Sequence, residues 1–213
     1  MTILLAGATG LVGSRVLALL LAAGKPVVTI GRRATGKSGA GLIEIVADFA
    51  RLPELPAAEV AICALGTTIA AAGSQAAFRA VDHDAVLAFA TAAKAAGVAH
   101  FIVVTAVGAD AGSGVFYSRV KGEVERGLAA LGFARLDLLQ PGLIIGPRSE
   151  RRPLEAFFQW LTPLISPMLV GGLSRYGSIG ADRVAAAAVA LADQQTPGVF
   201  RHQNDAMSSL AAA

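Results

Sequence analysis

Three glycines at fixed spacing, in the run Gly7-Ala8-Thr9-Gly10-Leu11-Val12-Gly13, stand between a short strand-like stretch, Ile3 to Ala6, and a helical pattern, Leu11 to Ala23. That placement restricts the chain more than any other feature. Gly7 permits a tight turn, Gly10 lets backbone come close to a phosphate, and Gly13 lets the helix pack close to the sheet. Unpaired N–H groups and the positive end of the helix dipole then face the phosphates of a dinucleotide. Gly7, Thr9, Gly10, Leu11, Val12 and Gly13 are the first candidate cofactor-binding residues.

The rest of the chain keeps the same rhythm. Strand patterns at Val27 to Gly31, Leu42 to Val46, Val60 to Ala64, Phe101 to Val104 and Arg135 to Leu139 alternate with helical ones. The helices are read at 11–23, 75–96, 116–131 and 181–192, the first three stopped by Gly24, Gly97 and Gly132. Uninterrupted apolar strands separated by helices predict a doubly wound parallel sheet of Rossmann type, an α/β fold. Its ligand site is expected beyond the carboxyl ends of the strands, where the strand order reverses. The 213 residues are read as one domain, with 147–176 as a small C-terminal cap over the substrate side.

Composition excludes several classes. Apolar residues make up 54% and charged residues 15%, too apolar for a disordered chain. A net charge of +3, scattered along the chain, does not form a nucleic-acid footprint. The single cysteine, Cys63, and three separated histidines, His83, His100 and His202, make no metal-ligand pattern. Val16 to Ala23 is apolar but carries no basic segment ahead of it, so it is not read as a signal sequence. No apolar run reaches the roughly 18 residues of a membrane span, and the expected location is cytoplasmic. No nucleic-acid or membrane partner is expected. A monomer and a homodimer remain equally open.

The end of the second strand selects the cofactor. An NAD site places a carboxylate about 20 residues beyond the fingerprint, on the ribose 2′-hydroxyl. Arg32 and Arg33 hold that place here. Guanidinium groups bind a 2′-phosphate through paired, charge-assisted hydrogen bonds, whereas a carboxylate would repel it. NADP(H) is therefore expected over NAD(H). Two further loops fall at the same sheet edge. Asp48 and Phe49, after the third strand, are placed to border the adenine, and Leu65-Gly66-Thr67-Thr68, after the fourth, to pass along the middle of the cofactor.

Tyr117-Ser118-Arg119-Val120-Lys121 puts a phenol and an ammonium one helical turn apart. Reduction of a carbonyl by hydride needs a proton donor at the oxygen. A tyrosine can be that donor, with an adjacent lysine lowering its pKa and holding the nicotinamide ribose.

With these motifs the sequence resembles the short-chain dehydrogenase/reductase superfamily in its atypical, NAD(P)-binding branch, and within it the Tat-interacting-protein-like oxidoreductases. The residues concerned are Gly7 to Gly13, Ile30 to Arg33, Cys63 to Thr68, Val107 to Asp110, Tyr117 to Glu125 and Gln140-Pro141-Gly142, so that about residues 1–150 are covered closely and the remainder loosely. The resemblance implies an NADP(H) site, Tyr117 and Lys121 as the reductase pair, and Pro141-Gly142 beside the nicotinamide. One departure stands out. The superfamily carries a serine just past the fifth strand, and this chain reads Val104-Thr105-Ala106-Val107. Thr105 is the remaining candidate to hold the substrate oxygen; otherwise the triad is incomplete.

Two functions of different class follow. One is an NADPH-dependent reductase of a small carbonyl-type substrate, with Tyr117, Lys121 and Thr105 as its catalytic set. The other is an NADP(H)-binding sensor or partner-binding protein with little turnover. A third, an epimerase of nucleotide sugars, is set aside because the segment after Pro141 is short for a sugar-nucleotide domain.

Overall fold

The computed structural model describes residues 1–146 and 177–212. The cap expected at 147–176 lies outside the described residues. Strands β1 (Ile3–Ala6), β2 (Val27–Gly31), β3 (Leu42–Val46), β4 (Val60–Cys63), β5 (His100–Val104) and β6 (Arg135–Leu139) fall where the apolar runs predict them, within one residue. Helices α1 (Gly13–Ala22), α2 (Ile69–Ala72), α3 (Gln75–Arg79), α4 (Ala85–Ala95) and α5 (Phe116–Ala130) are set between them. Beyond β6 come β7 (Leu143–Ile145), β8 (Ser178–Gly180), α6 (Ala181–Leu191), β9 (Gly198–His202) and α7 (Asn204–Leu210).

The main sheet has seven strands in the order β3-β2-β1-β4-β5-β6-β9, and every neighbouring pair is parallel. This is the doubly wound Rossmann arrangement predicted from the sequence. Strand residues alternate between two cores. Ile3, Leu5, Ile62, Ile102 and Leu139 pack under α1 and α6, while Leu4, Ala6, Ala61, Phe101 and Leu138 pack under α4 and α5. Every residue of β1, β4 and β6 is buried, which is why β1 and β4 read as unbroken apolar runs; β6 buries the charged Arg135 and Asp137 as well.

The structure adds elements that the sequence reading did not expect: the short α2, β7 and β8, and then β9 and α7. β9, Gly198-Val199-Phe200-Arg201-His202, is an edge strand, half buried and mixed in polarity. The helix expected over 75–96 is divided. Residues Ala80–Asp84 form a π-helical turn between α3 and α4, and such one-turn bulges arise where a side chain must be re-aimed.

The edge of the sheet holds a buried charge cluster. Asp137, with no exposed surface, accepts from Arg135 Nε at 2.6 Å and Nη2 at 3.0 Å. His100 Nε2 and His202 Nε2 lie 2.7 and 2.6 Å from its two oxygens, and Phe200 covers the guanidinium at 4.3 Å. Burial opposes ionisation of Asp137. The hydrogen bonds from His100, His202 and Arg135 outweigh it and hold the carboxyl well below the usual carboxylate range.

A lowered folded-state pKa means that the native protein binds this proton less tightly than the unfolded chain. The stability so gained is present above the unfolded carboxylate pKa of about 4 and is lost as pH falls below it. Asp137→Ala, which strands a buried guanidinium, is expected to destabilise by about 3–5 kcal/mol at neutral pH, with the gap to wild type narrowing in acid. Urea unfolding at a series of pH values measures both effects.

Candidate active site

The loop from β1 to α1 is fixed by contacts that leave no room for a side chain. Gly7 has φ +85°, and a Cβ there would sit 2.5 Å from the Ala64 carbonyl oxygen. A Cβ on Gly13 would sit 2.1 Å from the Gly7 oxygen. Helix α1 is thereby pressed onto the strand end, and Gly10 N donates to Gly7 O at 2.9 Å. Thr9 and Gly10 form the exposed crest, while Leu11 is half-buried and Val12 buried. No side chain caps the start of α1. An exposed crest, close-packed glycines and an uncapped helix start fit the pyrophosphate of a dinucleotide.

Arg32 and Arg33 are exposed directly after β2. The acid nearest their loop, Glu44 on β3, accepts from both the N–H and the hydroxyl of Thr35. Those hydrogen bonds hold its carboxyl below the usual range.

Asp48 is exposed and caps a short 3-10 turn, Phe49–Arg51, through Ala50 N at 3.0 Å. Phe49 departs from its expected place at the adenine. Its ring is buried and meets Phe89 edge-on at 6.5 Å, because burying an aromatic face against α4 outweighs leaving it at the sheet edge.

Leu65, Gly66, Thr67 and Thr68 follow β4 as expected. Thr68 Oγ1 accepts from Ala71 N at 3.0 Å and caps α2, whereas the Thr67 N–H turns toward the site. It donates to Asp82 Oδ2 at 2.8 Å.

Tyr117 and Lys121 stand one turn apart on α5. The Tyr117 ring packs on Phe78 at 5.6 Å between centroids. Lys121 is only 5% exposed, and its Nζ lies 2.8 Å from Asp82 Oδ1, itself 1% exposed. Asp82 comes from the π-helical turn and was not among the residues expected from the sequence. Burial alone would push the Lys121 ammonium toward neutrality, but Asp82, and Tyr117 after it, raise its pKa above the ordinary lysine value.

Tyr117 departs from expectation in sign. Burial raises its pKa; Lys121 pulls it down, but Asp82 opposes that pull, and the balance stays above the ordinary phenol. Cys63, at the end of β4, is pushed up to about 12 by burial and stays a neutral thiol.

Thr105 is the clearest revision. Its Oγ1 donates to Glu125 Oε1 at 2.7 Å and also lies 3.3 Å from Leu139 O. Both partners are buried, so its proton is held within the protein. Glu125 also accepts from Gln140 Nε2 at 2.8 and 3.0 Å. Thr105 thus joins a buried network, and Ala106 beside it offers no hydroxyl. Pro141 O accepts from Val107 N at 2.9 Å, and Gly142 N donates to Asn204 Oδ1 at 3.0 Å. These bonds set Pro141-Gly142 next to the loop after β5. Neither Glu125 nor Asn204 had been given a role. A glutamate one turn beyond the lysine was the only visible signal.

The sequence model described as "NAD dependent epimerase/dehydratase family" matches residues 3–112, half of the chain and all of the glycine fingerprint. The chain belongs to this family. It is thereby a member of the short-chain dehydrogenase/reductase superfamily, as its motifs had indicated. Among curated relatives of this epimerase/dehydratase chain, "Protein fmp52, mitochondrial" of Emericella nidulans is 42% identical over 168 residues, 71% of this chain and 70% of that one. The protein of the same name from Aspergillus fumigatus is 39% identical over 197 residues, 87% and 84%. These mitochondrial names overturn the expectation of a cytoplasmic protein.

Among solved structures, MoeE5 in complex with UDP-glucose and NAD superposes with a TM-score of 0.72 at 19% identity, over 100% of this chain and 81% of that one. The Bordetella bronchiseptica enzyme WbmH in complex with NAD+ gives 0.67 at 18%, over 99% and 79%. At such identities the likeness concerns the fold. Among the described residues no helix is long and apolar enough to cross a membrane.

Gly13→Ala would drive a methyl into the Gly7 carbonyl. It is expected to lower stability by about 1–3 kcal/mol and to weaken NADH and NADPH alike. Urea unfolding and calorimetric titration with both dinucleotides check this.

Proposed function

We propose that this family member is an NADP(H)-dependent oxidoreductase that reduces a small carbonyl-type substrate. The observation that carries the reading is the Tyr117–Lys121 pair on α5, whose lysine is joined through buried Asp82 to the loop that follows β4. The pyrophosphate would rest on the Gly7–Gly13 loop and the start of α1. Arg32 and Arg33 would meet the 2′-phosphate, and Leu65 to Thr68 would border the middle of the cofactor. Lys121 would hold the nicotinamide ribose, and Pro141-Gly142 would lie beside the ring.

When bound, NADPH would supply the hydride to the carbonyl carbon. Tyr117 gives its phenolic proton to the oxygen, and the product is the alcohol. A phenol kept neutral by burial is in the correct state for that step. Thr105 is not part of this proposal, since its hydroxyl is bound to Glu125.

The same fact favours a second reading, a cofactor-binding sensor or partner-binding protein with little turnover. With Thr105 engaged and alanine at 106, the hydroxyl expected beside Tyr117 to hold a substrate oxygen is committed elsewhere. NADPH oxidation over a panel of aldehydes and ketones separates the two readings.

The wild type is expected to bind NADPH more tightly than NADH. Replacing both Arg32 and Arg33 with alanine should erase that preference by weakening NADPH about 10–100-fold; equal affinities in the wild type would refute the cofactor assignment. On any accepted carbonyl, Tyr117→Phe should slow turnover by about 100- to 10,000-fold while leaving NADPH affinity nearly intact. Stopped-flow rates and calorimetry on the same preparation read both quantities.

A further inference from the structure

Lys121 is an almost fully buried ammonium, and its position depends on a counter-charge. That charge is Asp82, brought inward by the π-helical turn at Ala80–Asp84. One Asp82 oxygen meets Lys121 at 2.8 Å, and the other accepts the Thr67 N–H at 2.8 Å. A Cβ on Gly66 would lie 3.5 Å from the same carboxylate, so the loop after β4 closes directly over it. One carboxylate therefore fastens the lysine of α5 to the loop expected to run along the cofactor.

We infer that Asp82 is a positioning residue of the active site, which holds Lys121 as a paired cation against the loop after β4 and so limits how far that cation acts on the Tyr117 phenol one turn away. The inference rests on the reading of Tyr117 as the proton donor.

The charges around the phenol support it. On its own helix Tyr117 faces Lys121, which favours the phenolate. From the π-helical turn it faces Asp82, which opposes it. Cys63, reaching Lys121 from β4, carries no charge near neutral pH. Three other charges on the same helix have partners of their own, and Arg126 is exposed. Glu123 is paired with Arg79 from α3, Arg119 donates to the carbonyls of Ser113 and Gly114, and Glu125 is held by Thr105 and Gln140. Burial, the largest influence, keeps the phenol protonated, and Asp82 offsets part of the pull of Lys121. A site built to remove a proton from an alcohol would leave the lysine uncompensated.

The test uses the full-length protein without cofactor or substrate, and so stands apart from any failure of the reductase reading. The chain has two tyrosines, Tyr117 and Tyr176. In a Tyr176→Phe background the near-ultraviolet phenolate absorbance follows Tyr117 alone through an alkaline titration. Asp82→Asn should move the midpoint down by about one pH unit or more, because the lysine is left unopposed. Asp82→Glu, which keeps the charge, should restore most of the shift. The double variant Asp82→Asn/Lys121→Met removes both charges together and should bring the midpoint back up, to the parent's or above it.

An unchanged midpoint in Asp82→Asn, or a double variant whose midpoint lies below the parent's, would overturn the inference, the latter by showing that the lysine is not the source of the shift. Should Asp82→Asn fail to fold, the double variant, which leaves no unpaired buried charge, still decides the question. A shift in Asp82→Asn that Asp82→Glu does not reverse would mark a packing effect and would also overturn it.

Discussion

The contact between helix α1 and the turn before it determines where everything else lies. With Gly13 against the Gly7 carbonyl and Gly7 against Ala64, no Cβ fits at either seam. The first helix must therefore start at the carboxyl end of β1, beside β4. Because β1 lies between β2 and β4, the chain builds outward on one side through β3 and then crosses back to build the other. The crevice of an open parallel sheet lies at this reversal. The loops after β1, β2, β4, β5 and β6 all emerge at one edge for this topological reason, and every residue proposed for the site is on or beside one of them.

The sheet was legible because parallel strands covered on both faces are mostly apolar, and runs such as Ile3 to Ala6 and Val60 to Cys63 admit little else. The glycine spacing and the Tyr117–Lys121 spacing were legible for similar reasons: each is local, within one turn or one helix. What escaped was non-local or lay at an edge. β9 is half exposed and lacks the apolar signature. Asp82 lies on a bulge that no helical periodicity reveals, and its importance arises from a lysine 39 positions further along the chain, at 121, that folding places beside it. Thr105 was misjudged in the same way. The sequence shows a hydroxyl at the right point after β5, but the carboxylate that takes its proton comes from α5.

Family membership and side chains answer different questions. The solved neighbours are described with UDP-sugars and NAD, yet at 19% and 18% identity the likeness concerns the framework alone. In this chain the end of β2 presents two arginines, and the acid closest to their loop, Glu44, is engaged by Thr35. That local chemistry favours a cofactor bearing an additional phosphate.

Helix α5 is the hub that joins these loops. Through Lys121 and Asp82 it holds the loop after β4; through Glu125 it holds Thr105 after β5 and Gln140 just past β6. Both connections run through buried carboxylates. Removing ions from water opposes folding strongly, and apolar residues of like volume often stabilise as well or better. Their value lies in direction: a carboxylate with two or three donors accepts only a narrow range of positions, whereas an apolar contact can slide. Three loops at one edge of the sheet are thereby referred to a single rigid helix, and the phenol proposed as the proton donor is part of that same helix.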